Sequence, residues 1–199
     1  MKVNFTDTFT KSLEKMYWQN TLPYKVYSFF RYDAPRFIKN VWKFRKALYN
    51  HYWFDNHGTL MFMEIGFTDM ANKIEKYGIE VDGSRMKKVE KMRRAAQLIK
   101  NYNEDLYIEM AEKELGELIM RDWEFETSKD HPNCYELVDN ETPEEKEHNR
   151  RVFDRTREIG EQEWTELFDI LKGQDYSTFD DSIDFDEQFD GSGIRGWWD

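Results

Sequence analysis

Residues 84–120 read SRMKKVEKMRRAAQLIKNYNEDLYIEMAEKELGELIM. Within this stretch Val89, Met92, Ala96, Ile99, Asn103, Leu106 and Met110 follow one another at spacings of 3, 4, 3, 4, 3 and 4. That is the a/d repeat of a helix packed lengthwise against a neighbour. Asn103 is the polar member of the seam, a residue type that fixes register at some cost in stability. Working outward, Arg36 to Tyr77 has apolar residues at Phe37, Val41, Phe44, Leu48, Leu60, Phe62 and Ile65 and reads as a second helix. Gly58 and Gly66 weaken its middle and allow a kink or break there, and Gly78 is a natural stop. On the other side Thr142-Pro143-Glu144-Glu145 opens a third helix: threonine as N-cap, proline at the first position and Glu145 closing a capping box. This helix is expected to run to Lys172 and end at Gly173, with Gly160 as its weak point.

The fold class is therefore all-α: an antiparallel helical bundle with an acidic, aromatic C-terminal tail. Three parts are expected. Residues 1–35 hold a short helix starting at Thr6 or Asp7 and an aromatic linker interrupted by Pro23 and Pro35. Residues 36–172 are the bundle, with 126–141 read as loop, and residues 173–199 are the tail. The predicted core comprises Phe44, Leu48, Phe62, Val89, Met92, Ile99, Leu106, Val152 and Ile159.

Composition narrows the function classes. With 199 residues, 17% aromatics and only 10 Gly and 4 Pro, the chain has ample apolar area for a helical core. The single cysteine, Cys134, allows no internal disulfide. The first residues lack the apolar run of a signal peptide, and no stretch has the length and apolarity of a membrane span, so a cytoplasmic setting without a membrane partner is expected. Charge is asymmetric: residues 1–101 carry 19 Lys+Arg against 10 Asp+Glu, residues 102–199 carry 10 against 30. The signatures of P-loop, dinucleotide-binding, nucleophile-elbow, zinc-protease and CxxC chemistry are all missing from the sequence.

Three constellations remain. His51 and Asp55 lie four apart, and Glu145 and His148 have the Glu-x-x-His spacing of di-metal carboxylate bundles. With Glu109 they form a candidate metal set, to which Asp69, Asp105 and Glu112 could add carboxylates. The second half of the di-metal pattern is missing, so a divalent metal is an alternative to no cofactor. The stripe Lys87, Lys91 and Arg94 offers contacts for nucleic-acid phosphates, or a dock for the chain's own acidic half. The tail carries eight Asp/Glu and one Arg with six interleaved aromatics. Its Phe185, Phe189, Trp197 and Trp198 are candidate partner-binding anchors. Opposite charge on one tether predicts that the tail folds back onto residues 85–94.

The strings WKFRKALYNHYWFD, SRMKKVEKMRRA, DLYIEMAEKELGEL, EEKEHNRRVFDR and GSGIRGWWD resemble a group of functionally uncharacterised helical proteins encoded by tailed bacteriophages. The resemblance implies a bacterial cytoplasm as the setting and carries no activity. The function expected is thus an accessory protein that binds a protein partner, such as a host factor. Metal binding and nucleic-acid contact are the alternatives, and the 89–110 seam is a candidate surface for oligomerisation.

Overall fold

The computed structural model describes residues 18, 20–122, 124–128, 131, 133–138 and 140–197. The expected helix beginning at Thr6 or Asp7 lies outside them. The chain is predominantly helical, as its composition and periodicity require. It divides into two compact units, Met1–Gly58 and Thr59–Asp199. This differs from the expected partition at 35/36 and 172/173, because helix runs through Pro35 and the tail belongs to the second unit.

In the first unit α1 (Leu22–Ser28), a π turn (Phe29–Asp33) and α2 (Ala34–Asn50) follow one another without leaving helical backbone. Pro35 explains the wide turn. A proline inside an α-helix lacks the N–H for its i−4 carbonyl, and its ring collides with that carbonyl. Winding to i+5 moves the carbonyl away: Ala34 donates to the Phe29 carbonyl instead. Pro23 sits in the first turn of α1, where a missing N–H costs nothing. The helix expected over 36–77, with a kink or break allowed at its glycines, is broken between Asn50 and His57. His51 is extended (φ −81°, ψ 116°), and the Asp55 carboxylate accepts from the His57 N–H at 2.9 Å to start α3 (His57–Tyr77).

The second unit is built on three antiparallel helices: α3, α4 (Asp82–Asn103) and α6 (Pro143–Lys172). Direction follows from the cross-links. Arg93 of α4 holds Glu75 of α3 at 2.7 Å while Arg85 reaches back to the Gly78 carbonyl at 2.7 Å. Arg94 and Asn101 of α4 meet Glu166 and Glu163 of α6. The expected helix over 84–120 is also interrupted. It turns at Glu104–Leu106, with Asp105 in the left-handed region (φ 52°), and resumes as α5 (Tyr107–Leu115) antiparallel to α6. Gly160, the weak point of α6, faces the Tyr107 ring, and a Cβ there would stand 3.2 Å from it. The glycine exchanges helix propensity for room to seat the ring. The Thr142–Glu145 capping box is formed in both directions, and Gly173 (φ +77°) ends α6.

Residues 126–141 are not loop throughout. Glu124–Thr127 (β1) and Tyr135–Val138 (β2) pair antiparallel in the register Glu126↔Glu136. The core of the unit joins Leu60, Phe67, Ala71 and Ile74 of α3, Val89, Met92, Ala96, Leu98 and Ile99 of α4, Leu167 and Ile170 of α6, and Trp197. A second cluster joins Tyr107, Ala111, Val152 and Ile159. Of the predicted core, Val89, Met92, Ile99, Val152 and Ile159 are buried. Phe44, Phe62 and Leu106 are half-buried, and Leu48 is exposed.

Most of the 89–110 seam is consumed inside the chain, with Val89, Met92, Ala96 and Ile99 all buried. The tail completes the unit. Its turns at Tyr176–Thr178 and Ile194–Gly196 and the short α7 (Phe185–Gln188) bring Trp197 onto Phe67, ring centroids 5.3 Å apart, edge to face. The Trp197 indole N–H donates to the Gly191 carbonyl at 2.9 Å. Gly191 (φ +87°) presses so closely on the Lys87 backbone that a Cβ would lie 2.3 Å from it.

Candidate docking surface

The second unit spends its chemistry-bearing groups on itself. Glu145 accepts from the Thr142 N–H at 2.9 Å and pairs with Arg121. The Arg121 guanidinium, then the Thr142 backbone, lower its carboxyl to about 2. His148 Nε2 lies 2.9 Å from the Glu117 carbonyl, and Glu109 stands exposed on α5. His51 and Asp55 are exposed loop residues of the first unit. Their expected i, i+4 relation on a helix is lost because α2 ends at Asn50. Among the supplementary carboxylates, Asp69 holds Lys73 at 2.8 Å, Glu112 accepts from the Leu118 N–H at 3.0 Å, and Asp105 is exposed in the turn after α4. Among the described residues no group of three or more His, Cys, Asp or Glu side chains is placed to hold a metal ion.

The basic stripe is occupied from within. Lys87 donates to the Asp186 and Phe189 carbonyls at 2.5 and 2.8 Å, Lys91 lies 3.6 Å from Asp190, and Arg94 grips Glu166 through two bonds of 2.7 and 2.6 Å. The Arg94 guanidinium holds the Glu166 carboxyl below its ordinary range. The tail thus lies on the stripe. Of its candidate anchors, Phe189 and Trp197 are buried, Phe185 is half-exposed and stacks on Phe189 at 5.2 Å, and Trp198 lies outside the described residues.

The first unit is the opposite case. Over Ala34–Asn50 the sequence APRFIKNVWKFRKALYN contains no acidic residue and five basic ones. At 3.6 residues per turn Phe44, Phe37, Leu48, Val41, Ile38, Tyr49 and Trp42 fall in that order across an arc of about 160°. Lys46, Lys39, Lys43 and Arg36 cluster on the far side. In a water-soluble bundle such an apolar arc packs against a neighbour. Here Phe37, Trp42 and Tyr49 are 67, 69 and 85% exposed. Within α2 only Ala47, which lies off this arc, is buried.

Exposed rings continue at both ends of α2, with Tyr27, Phe29, Phe30 and Tyr32 before it and Tyr52, Trp53 and Phe54 after it. Trp53 is 92% exposed, and the Phe54 ring is stacked on Tyr52 and edge-on to Trp53. One cation interrupts the apolar arc. Arg45 lies with its guanidinium 4.4 Å from the Trp42 ring and donates to the Trp42 carbonyl at 2.7 Å.

Sequence reasoning assigned Phe44 and Leu48 to a core because helical periodicity marks an apolar face without naming what covers it. The available signal was charge: five basic and no acidic residues over 17. No family model matches the chain, and comparison with curated proteins and with solved structures found no match.

Proposed function

We propose that this protein acts by docking, and that the docking element is the aromatic, basic helix Ala34–Asn50 with its flanking rings. The observation that carries this is the exposed arc of Phe37, Ile38, Trp42, Leu48 and Tyr49. A contiguous exposed apolar patch of this kind marks an interaction site. The tail anchors expected to meet a partner support the body instead, since Phe189 and Trp197 are buried in it. Lys87, Lys91 and Arg94 engage the tail and α6, which removes the motive for a phosphate-binding stripe. Under the likeness to tailed-phage proteins, the setting is the cytoplasm of a bacterial host and the partner a host component met there.

The test is photocrosslinking in cells. A diazirine amino acid is placed at position 38, 42 or 49 on the apolar arc, and at 39 or 43 on the basic side. Docking requires discrete crosslinked species from 38, 42 and 49 and much weaker ones from 39 and 43. Equal labelling from both faces, or none from either, refutes it.

A further inference from the structure

Resting on that docking reading, we propose that the partner of Ala34–Asn50 is an anionic lipid surface, on which the helix lies parallel to the bilayer plane. Two properties of the helix have to be satisfied together. Its apolar arc is broad, about 160°, and rimmed by Trp42 and Phe44 rather than narrowed to a single stripe. Every charged residue on its other face is a cation, with Arg36 also holding Asp33 at 2.6 Å. A helix seated in a protein groove needs one row of anchors at i, i+4 and i+7 and leaves the rest in water. Here the row Phe37, Val41, Phe44, Leu48 would leave Ile38, Trp42 and Tyr49 exposed. Nucleic acid would take the lysines and leave every ring in water. A headgroup–acyl boundary takes both: the rings enter the apolar layer while Lys39, Lys43, Lys46 and Arg36 extend along it to the phosphates.

Position in the bilayer follows from composition. Among the described residues no helix is long and apolar enough to cross a membrane, so the helix lies on the surface. The expectation of no membrane partner rested on the missing spans, and an interfacial helix needs none. Tyr52, Trp53 and Phe54, exposed in the loop beyond α2, are ring types that settle at the interface. Charge orients the molecule as well. Residues 1–58 carry 10 Lys+Arg against 4 Asp+Glu, and residues 59–199 carry 19 against 36. An anionic surface therefore attracts the first unit and repels the second.

The experiment is co-sedimentation of the full chain with vesicles of phosphatidylcholine alone and with phosphatidylglycerol added. Binding is expected only with phosphatidylglycerol, weakening steeply with added salt. Trp42→Glu with Phe37→Glu is expected to lower the partition coefficient about tenfold or more, and Lys39→Glu with Lys43→Glu to do the same. Phe37, Lys39 and Trp42 are exposed and Lys43 is half-buried, so helicity by circular dichroism is expected to be unchanged.

Arg45→Leu gives the sharpest outcome. On lipid it removes the one charge from the apolar arc and raises partition several-fold. For nucleic acid it removes a cation and lowers affinity. No binding to phosphatidylglycerol vesicles overturns the proposal, as does binding insensitive to Trp42→Glu. So does preferential, Arg45-dependent retention on duplex DNA, or protein alone as the crosslinked species from positions 38, 42 and 49. In that last case the lipid assignment falls while docking stands. Loss of face preference in the crosslinks would remove docking itself.

Discussion

Trp197 closes the core of the second unit, and Trp197→Ala should show how much that closure is worth. A buried tryptophan removes about 150–250 Å² from water. At about 25 cal/mol per Å² this is about 4–6 kcal/mol, an upper bound because the unfolded chain is itself partly collapsed. The indole N–H to the Gly191 carbonyl adds about 1 kcal/mol. Cavities left by Trp→Ala typically cost about 3–5 kcal/mol.

Trp197 reaches Phe67 from a segment whose other anchors (Gly193 N–H on the Ile170 carbonyl at 2.8 Å, Asp190 N–H on the Gln174 side chain at 2.8 Å, Lys91 at Asp190, Lys87 on the Asp186 and Phe189 carbonyls, and the buried Phe189 ring) tie the tail to the body and not one long helix to another. The segment can therefore detach before the helices separate. The measured loss is then capped at the docking free energy of the tail, and Trp197→Ala should match a chain stopped after residue 189. Urea unfolding followed by far-ultraviolet circular dichroism reads this. At a slope of about 2 kcal/mol/M, the midpoint should fall by about 1.5–2.5 M in both variants. Trp197→Phe, which keeps a ring and loses the donor, should lose about a third of that. A shift under about 0.3 M in Trp197→Ala would refute the placement of the ring in the core.

Gly191→Ala must place a methyl 2.3 Å from the Lys87 backbone at a φ of +87°. It should cost about 2–4 kcal/mol and raise hydrogen exchange at Lys87 and Lys88. Asn103→Leu should stabilise by about 1–2 kcal/mol in the same urea assay. Both amide atoms of Asn103 are buried without a hydrogen-bond partner in the structure, and the leucine would continue the seam. Glu145 has its folded-state pKa lowered to about 2, against an unfolded value of about 4.3. Its contribution is full above the unfolded value and is lost as pH falls from there towards 2. Amide exchange in the first turn of α6 should rise over that interval, and Glu145→Gln should abolish the dependence. Arg94 and Glu166 are each about two-fifths exposed, so a double-mutant cycle should return no more than about 1 kcal/mol.

What the sequence made legible was periodic or chemically local. The seam of α4 shows because a 3,4 repeat of apolar residues has few other uses. The start of α6 shows because the threonine and glutamate side chains each satisfy a specific backbone N–H there, and proline removes one that would have no partner. The contact between tail and basic stripe was visible in charge and in the tail's aromatics, while the pairing of Trp197 with Phe67 was not, since no spacing relates residues 67 and 197. The helix over 36–77 reads as breakable at Gly58 or Gly66, but its break at His51–Asn56 lies before both, in HYWFDN, which contains no proline or glycine to announce it. The hairpin escaped because its two strands are four residues each and all but one of these residues are exposed, so the alternation of Phe125, Tyr135 and Leu137 with glutamates is too short to stand out. The docking face was legible as an amphipathic helix and illegible as a surface. Periodicity reports which side chains belong together, and only the packed structure reports whether protein covers them.

The π turn at Phe29–Asp33 has a consequence for rotational phase. An α-helix advances each side chain by about 100°, whereas a π turn advances it by about 80°. Five residues of π winding therefore set α1 back by roughly one residue's rotation against α2. Which rings of α1 align with Phe37 and Trp42 is fixed by how the five residues wind more than by which residues they are. Rewinding all five as α would swing Tyr24, Tyr27 and their neighbours about the axis by about 100° relative to the α2 arc, whereas removing one residue and rewinding the other four as α would restore the present alignment. Five substitutions in the turn that kept its length and left Pro35 in place would leave that alignment unchanged. The turn works as a gear between two stripes, with Pro35 as the tooth that keeps it engaged.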